Sequence, residues 1–222
     1  MDGTVRSAPI HAPPLLESLG LLERAVGYAR VTLGDVTPAM LHHPTPCHRW
    51  DLAALLDHMV DSLTALTEAA DLGSVALRVP LGEPAPVDTV QRLRVQACSL
   101  LGAWSAEARH TGDTAGDMAG DMAGDTAGDT AGGLPGVMVG DRHLASSLLA
   151  CAGALEVAVH GWDVGQATGA RRPLPTMLAL ELLPWVGIFV TERDRPSRFA
   201  AALDVPLSGP STQLLARVGR RA

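Results

Sequence analysis

Glu156 and His160 stand four residues apart inside the run Leu148–Thr168, LLACAGALEVAVHGWDVGQAT. If that run is helical, both side chains leave one face, a single turn apart. A carboxylate and an imidazole placed this way aim lone pairs at a common point, which is half of a metal site. The pattern is weak on its own. With eight Glu and eight His in 222 residues, about 0.3 such pairs arise by chance, so a solvated surface pair is the competing reading.

Context favours the metal. Leu149, Gly153, Glu156 and His160 share a stripe that is otherwise apolar or small, and a carboxylate there is costly to bury without a cation or donor. An ion would offset that cost. Asp163 follows His160 by three residues and is the candidate catalytic residue. It either supports a ligand imidazole from behind or caps or salt-bridges the helix.

The elements that must position these residues read as helices. Hydrophobic residues make up 47% of the chain and aromatics only 3%, with Ala and Leu dominating, which points to an all-α protein. At 222 residues the chain fits one domain with a substantial core. Leu15, Leu19, Leu22, Val26, Ala29 and Leu33 draw an apolar stripe down a first helix, closed by Asp35 and Pro38. The segment His42-His43-Pro44-Thr45-Pro46-Cys47-His48 is a loop rich in imidazoles, because its prolines bias their preceding residues to extended backbone.

A second helix starts at Asp51, a good N-cap, and runs to about Ala70. Its stripe of Leu52, Leu55, Leu56, Met59, Leu63 and Leu66 faces the core, with His58 on the edge beside Leu55 and Ser62. His58 is thus a core histidine with a satisfied hydrogen bond, or a ligand. After a Gly/Pro-rich break that allows a short strand at most, a third helix is expected from Asp88 to about Ala108. From Gly112 to Ala131 the tetrapeptide G-D-[TM]-A repeats. Its spacing fits neither the nine-residue calcium repeat nor an EF-hand, so a flexible acidic loop is expected over 112–133. The fourth helix should start near Asp141 and end at about Gly169. A fifth, from about Pro175 to Glu192, is apolar on most sides and should be central or capping. An irregular tail follows from about residue 193, carrying Arg193, Arg195, Arg198, Pro206 and Pro210, with a short helix from about Ser211. Its arginines are expected to be a solvated helix end, with contact to an anionic substrate as the alternative.

The net charge of -7 and pI near 5.5, without a basic cluster, argue against nucleic acid as a partner. No basic-then-apolar leader or membrane span is evident, so a cytoplasmic protein off the membrane is expected. Cys47, Cys98 and Cys151 are widely spaced and odd in number, so free thiols are expected. Cys47 precedes a helix start, where the dipole can lower a thiol pKa.

Three runs, PTPCHRWDLAALLDHMV, LEVAVHGWDVGQATG and RFAAALDVPLSGPSTQLLARVGR, together resemble the DinB-like, maleylpyruvate isomerase N-terminal-type family of bacteria that use mycothiol. The resemblance extends over nearly the whole chain. It rests on a P-T-P-C loop before a Trp-capped helix, L-x-x-H-x-V within that helix and H-G-W-D in the fourth. It implies a DinB-like up-down-down-up four-helix bundle with an additional short helix. It also implies a metal held by His58 together with Glu156 and His160. Zinc suits two imidazoles and a carboxylate, and nickel or iron(II) accept the same set.

In the relatives the metal is thought to activate the mycothiol sulfur for addition to an electrophilic carbon. The expectation is therefore a metal-dependent enzyme that activates a low-molecular-weight thiol, mycothiol, for S-transfer or isomerisation of a small molecule. The characterised isomerase-type members carry a separate C-terminal α/β domain, and the tail here is shorter than that. A thiol-independent metalloenzyme (lyase, hydrolase or cyclase) and a non-catalytic small-molecule binding protein are the alternatives. Trp50 and Trp162 are read as core packing first and pocket walls second. A homodimer is the default assembly.

Overall fold

The structure is a computed structural model that describes residues 12–47, 50–75, 86–119, 136–139, 142–195, 199–205 and 208–222. It is mostly helical. In chain order the elements are α1 (Leu15–Leu33), α2 (Leu52–Leu72), β1 (Ser74–Val75), α3 (Pro86–Ala119), β2 (Gly136–Val139), β3 (Arg142–Ala145), α4 (Ser146–Ala167), α5 (Thr176–Phe189) and α6 (Pro210–Arg217).

The first two helices follow their stripes. On α1, Leu21, Leu22, Ala25, Val26, Ala29 and Leu33 are buried. On α2 the Asp51 carboxylate accepts the Ala54 backbone N–H at 3.0 Å, satisfying one donor that the first turn leaves free. That hydrogen bond, with a smaller opposing effect of burial, holds the Asp51 carboxyl below its ordinary range. Leu52, Leu55 and Leu56 are fully buried, each contributing about 1.5–3 kcal/mol relative to exposure.

Contacts between elements fix how the helices lie. Ala29 of α1 meets Gly161 of α4, and Thr32 meets Gly165, so these two helices run the same way. Leu66 meets Gly153 and His58 meets Glu156, so α2 runs against α4. Thr89 donates to Asp57 and Gln96 to Thr67, so α3 follows the direction of α2. The α1–α4 approach favours glycine at 161, where a Cβ would stand a tight 3.1 Å from the Ala29 Cα, and backbone yields less readily than a flexible side chain. Against α4 also pack α5 and β3, and its residues are buried on nearly every side. Of the two places expected for the helix at 175–192, central or capping, the central one is taken by α4. α5 buries Leu178, Ala179, Leu182 and Val186 but leaves Met177 and Leu180 exposed.

Two boundaries differ from expectation. The structure continues α3 to Ala119, so part of the 112–133 stretch expected as loop is helix; extending an existing helix adds a hydrogen bond per residue without a new nucleus. The remainder of that stretch from 120, along with Arg198 and Pro206, lies outside the described residues. Next, α4 begins at Ser146 rather than near Asp141, because Arg142–Ala145 pairs antiparallel with Gly136–Val139. Val137 and Val139 favour strand, and a Gly-Asp pair between two such runs is a hairpin signal. β1 adds to β2 in parallel, giving a three-stranded sheet in the order β1-β2-β3. Among the described residues, no helix is long and apolar enough to cross a membrane.

Candidate metal centre

Two helices bring three donors together. His58 projects from α2, and Glu156 and His160 project from α4 one turn apart, which is where antiparallel neighbours face each other. His58 Nε2 lies 2.5 Å from Glu156 Oε1, and His160 Nε2 lies 3.2 Å from the same oxygen. One donor atom from each residue falls within 4.8 Å of the others. Ser62, one turn along α2 from His58, donates its hydroxyl to that Glu156 oxygen at 3.2 Å.

Behind the triad lies a buried chain of charge. His160 Nδ1 is 3.0 Å from Asp163 Oδ2, and Asp163 is 0% exposed. A proton on Nδ1 satisfies that carboxylate and fixes the ring so that Nε2 faces Glu156. Asp163 is in turn gripped by Arg220, whose Nε donates to Oδ1 at 3.2 Å and whose Nη2 donates to Oδ2 at 2.9 Å. Of the two readings of Asp163, the geometry shows both a hydrogen bond to the imidazole and a salt bridge. The salt bridge to the guanidinium runs to the C-terminal segment. Asp163 does not line the cavity, so it reaches the triad through His160.

The charges shift accordingly. Burial alone would lower the His160 pKa, but Glu156 and then Asp163 outweigh it and push it up to about 10. Burial would raise Glu156, yet the His160 and His58 rings hold it well below the ordinary carboxylate range. With no metal, His160 and Glu156 are therefore an imidazolium–carboxylate pair. Arg220 is raised further above its ordinary value because Asp163 overcomes the effect of burial.

The triad opens on a cavity of about 620 Å³, within the range of small-molecule sites. Trp50 forms one wall, its ring centroid 4.5 Å from that of His58 and 6.1 Å from that of His160. Trp162 is buried in the core instead. Thus the expectation of core packing holds for Trp162, whereas Trp50 walls the cavity. Cys47 lines the cavity too, while Cys98 is exposed and Cys151 is buried; all three are free. Burial raises the Cys151 thiol above its ordinary value, against a hydrogen bond with Ser18 that lowers it.

No family model, curated protein or solved structure matches the chain. What the cavity can do follows from its donors, charges and shape.

The donor set fits a divalent cation. Two imidazoles and one carboxylate converge on one cavity wall, and the hydrogen bond that His160 Nδ1 donates to Asp163 orients one of the rings. Arg220 is the charged residue that the sequence pattern missed. It sits in the last turn of the chain, where a run of arginines looks like a solvated end. The nearby Gly219 allows the turn: it has φ +77°, and a Cβ there would come 2.7 Å from the Ala200 side chain. Arg195 is likewise not a solvated helix end. It donates to the backbone oxygens of Ala200 and Arg217, tying the 199–200 wall of the cavity to α6. Arg193 is exposed, as expected.

Proposed function

We propose that this chain is a metal-dependent enzyme that activates a low-molecular-weight thiol, mycothiol, for S-transfer or isomerisation of an electrophilic small molecule. On this reading it is a DinB-like, maleylpyruvate isomerase N-terminal-type bundle, a family placement supported by the three sequence runs quoted above. The directions of α1 to α4 support an up-down-down-up arrangement. The observation that carries the reading is the convergence of His58, Glu156 and His160 on one cavity wall.

His58, Glu156 and His160 would hold the ion, zinc being the first choice and nickel or iron(II) the others. When bound, such an ion supplies Lewis acidity that favours the deprotonated thiol or polarises a carbonyl. The chain's own residues do the rest. Asp163 holds a proton on His160 Nδ1, which keeps Nε2 directed at the triad. Ser62 fixes one oxygen of Glu156. Trp50 covers His58 with an apolar ring, excluding water from that side.

The first test is metal content in the wild type and in His58→Ala, Glu156→Ala and His160→Ala. Stoichiometric metal in the wild type, lost in each variant, is expected; equal occupancy in all four proteins ends the metal reading. The second is incubation with mycothiol and an electrophilic acceptor, with and without chelator. Chelator-sensitive conjugate is expected. Bound metal with no conjugate would instead favour the thiol-independent lyase, hydrolase or cyclase, and no metal at all would favour a binding protein.

A further inference from the structure

We infer that the cavity beside the triad receives the uncharged, apolar body of its small-molecule ligand, and that Arg220 is not a receptor for a carboxylate. The inference rests on the reading of this cavity as the place where the small molecule reacts, and adds the class of molecule.

Away from the triad the wall is apolar. Leu66, Leu155 and Val159 come from α2 and α4, Phe189 from the end of α5, and Phe199 from the tail. Leu66 closes one end against Gly153, where a Cβ would meet its Cδ1 at 2.7 Å, so that end offers methyl groups and no donor. Arg220 is the arginine among the described lining residues, and it is 5% exposed. Three of its five N–H groups are already engaged, from Nε and Nη2 to Asp163 and from Nη1 to the Val218 backbone oxygen at 2.9 Å, and its charge is balanced by the buried Asp163. A ligand carboxylate would have to compete with a buried carboxylate for the same guanidinium. It would otherwise lose its hydration against hydrocarbon, which is unfavourable for any unpaired charge. An acid group on the ligand is therefore accommodated only at the triad, through an ion held there. A dicarboxylate, with charge at both ends, has no second place.

Binding is read by displacement of the neutral fluorophore N-phenyl-1-naphthylamine from the full-length chain, in chelator-treated and zinc-loaded forms. The displacers are a matched pair, methyl 2-naphthoate and 2-naphthoate. In the chelator-treated protein the ester is expected to bind at least about tenfold more tightly than the acid, because an unpaired carboxylate must be desolvated. Zinc is expected to improve the acid alone. Equal or tighter binding of the acid without zinc overturns the inference, as does failure of the ester to bind. Ala152→Phe, which fills the cavity from α4, and Phe199→Ala, which removes an aromatic wall from the tail, should each weaken fluorophore binding. Unchanged binding in both places the ligand elsewhere and also overturns it. Metal content is measured separately, so a chain that binds the ester but no metal would refute the metal reading and leave this one standing.

Discussion

Two hollows of similar size differ in what surrounds them. The cavity between α2 and α4 measures about 620 Å³ and the groove between α1 and the start of α5 about 520 Å³. Both carry ion pairs. In the groove, Arg24 pairs with Glu181, and the guanidinium of nearby Arg172 makes a two-pronged bridge to Asp35 at 2.7 and 3.1 Å, all with solvent access. Tyr28 lines the same groove. Its hydroxyl, kept protonated chiefly by burial with Asp163 adding to the effect, donates to the Arg172 backbone oxygen at 3.0 Å. Water screens such pairs, and they hold little energy. In the cavity the chain Glu156–His160–Asp163–Arg220 is removed from water in all but part of Glu156, so each charge depends on its neighbour. Volume does not distinguish the two; desolvated, mutually dependent charge does, and that is what a reactive site needs.

The largest break in that contrast should come from Arg220→Met, which leaves the buried Asp163 carboxyl without the guanidinium that grips it. A loss of about 3–5 kcal/mol is expected, read as a lower midpoint in denaturant or heat. A variant as stable as the wild type would mean that the pair is not as buried as the geometry shows. Next is Asp163→Asn, which removes the charge behind His160 while keeping its shape. Metal affinity should fall about 10–100-fold, measured by competition with a chromophoric chelator; unchanged affinity would sever Asp163 from the site.

The pH dependence should be smaller but signed. In the metal-free chain His160 is raised to about 10 from an ordinary value of 6.5. Its pairing with Glu156 therefore contributes stability that is complete below the unfolded value and is lost as pH rises through the folded one. Metal must displace that proton, so affinity should climb with pH up to the folded value and level off above it, and binding below that value should release protons. Calorimetry in buffers of different ionisation enthalpy reads the release, and a pH-independent affinity would contradict it. Least of all should change in Arg24→Ala and Arg172→Ala, on the groove side. Metal content and thermal midpoint are expected to stay at wild-type values within error, and a clear drop in either would erase the contrast between the two hollows.

Much of the framework was legible because it depends on local pattern. The α1 and α2 stripes and the Asp51 cap appear where periodicity and capping place them, since these are set by residues within a turn or two. The pairing of β2 with β3 departs from the expected helix start near Asp141, although Val137, Val139 and the Gly-Asp between the two runs carry a signal for it. The apolar periodicity of the following helix extended plausibly backwards over those residues and obscured it. The length of α3 is not legible locally, because glycine at every fourth position argues against helix when the segment is judged alone.

At the site, the sequence by itself determined that Glu156 and His160 share a helix face, because a separation of four residues is a single turn whatever the tertiary structure. It also determined that Asp163 is within reach of His160, for the same reason. Resemblance, and not spacing, suggested His58 as their partner. Only the tertiary structure decided that His58 meets Glu156 across 98 residues of sequence, and that Arg220 meets Asp163 across 57. Those pairings depend on α2 lying against α4 and on the C-terminal turn folding back beneath it. No local pattern encodes either, because the free energy that selects them comes from burying the whole core at once.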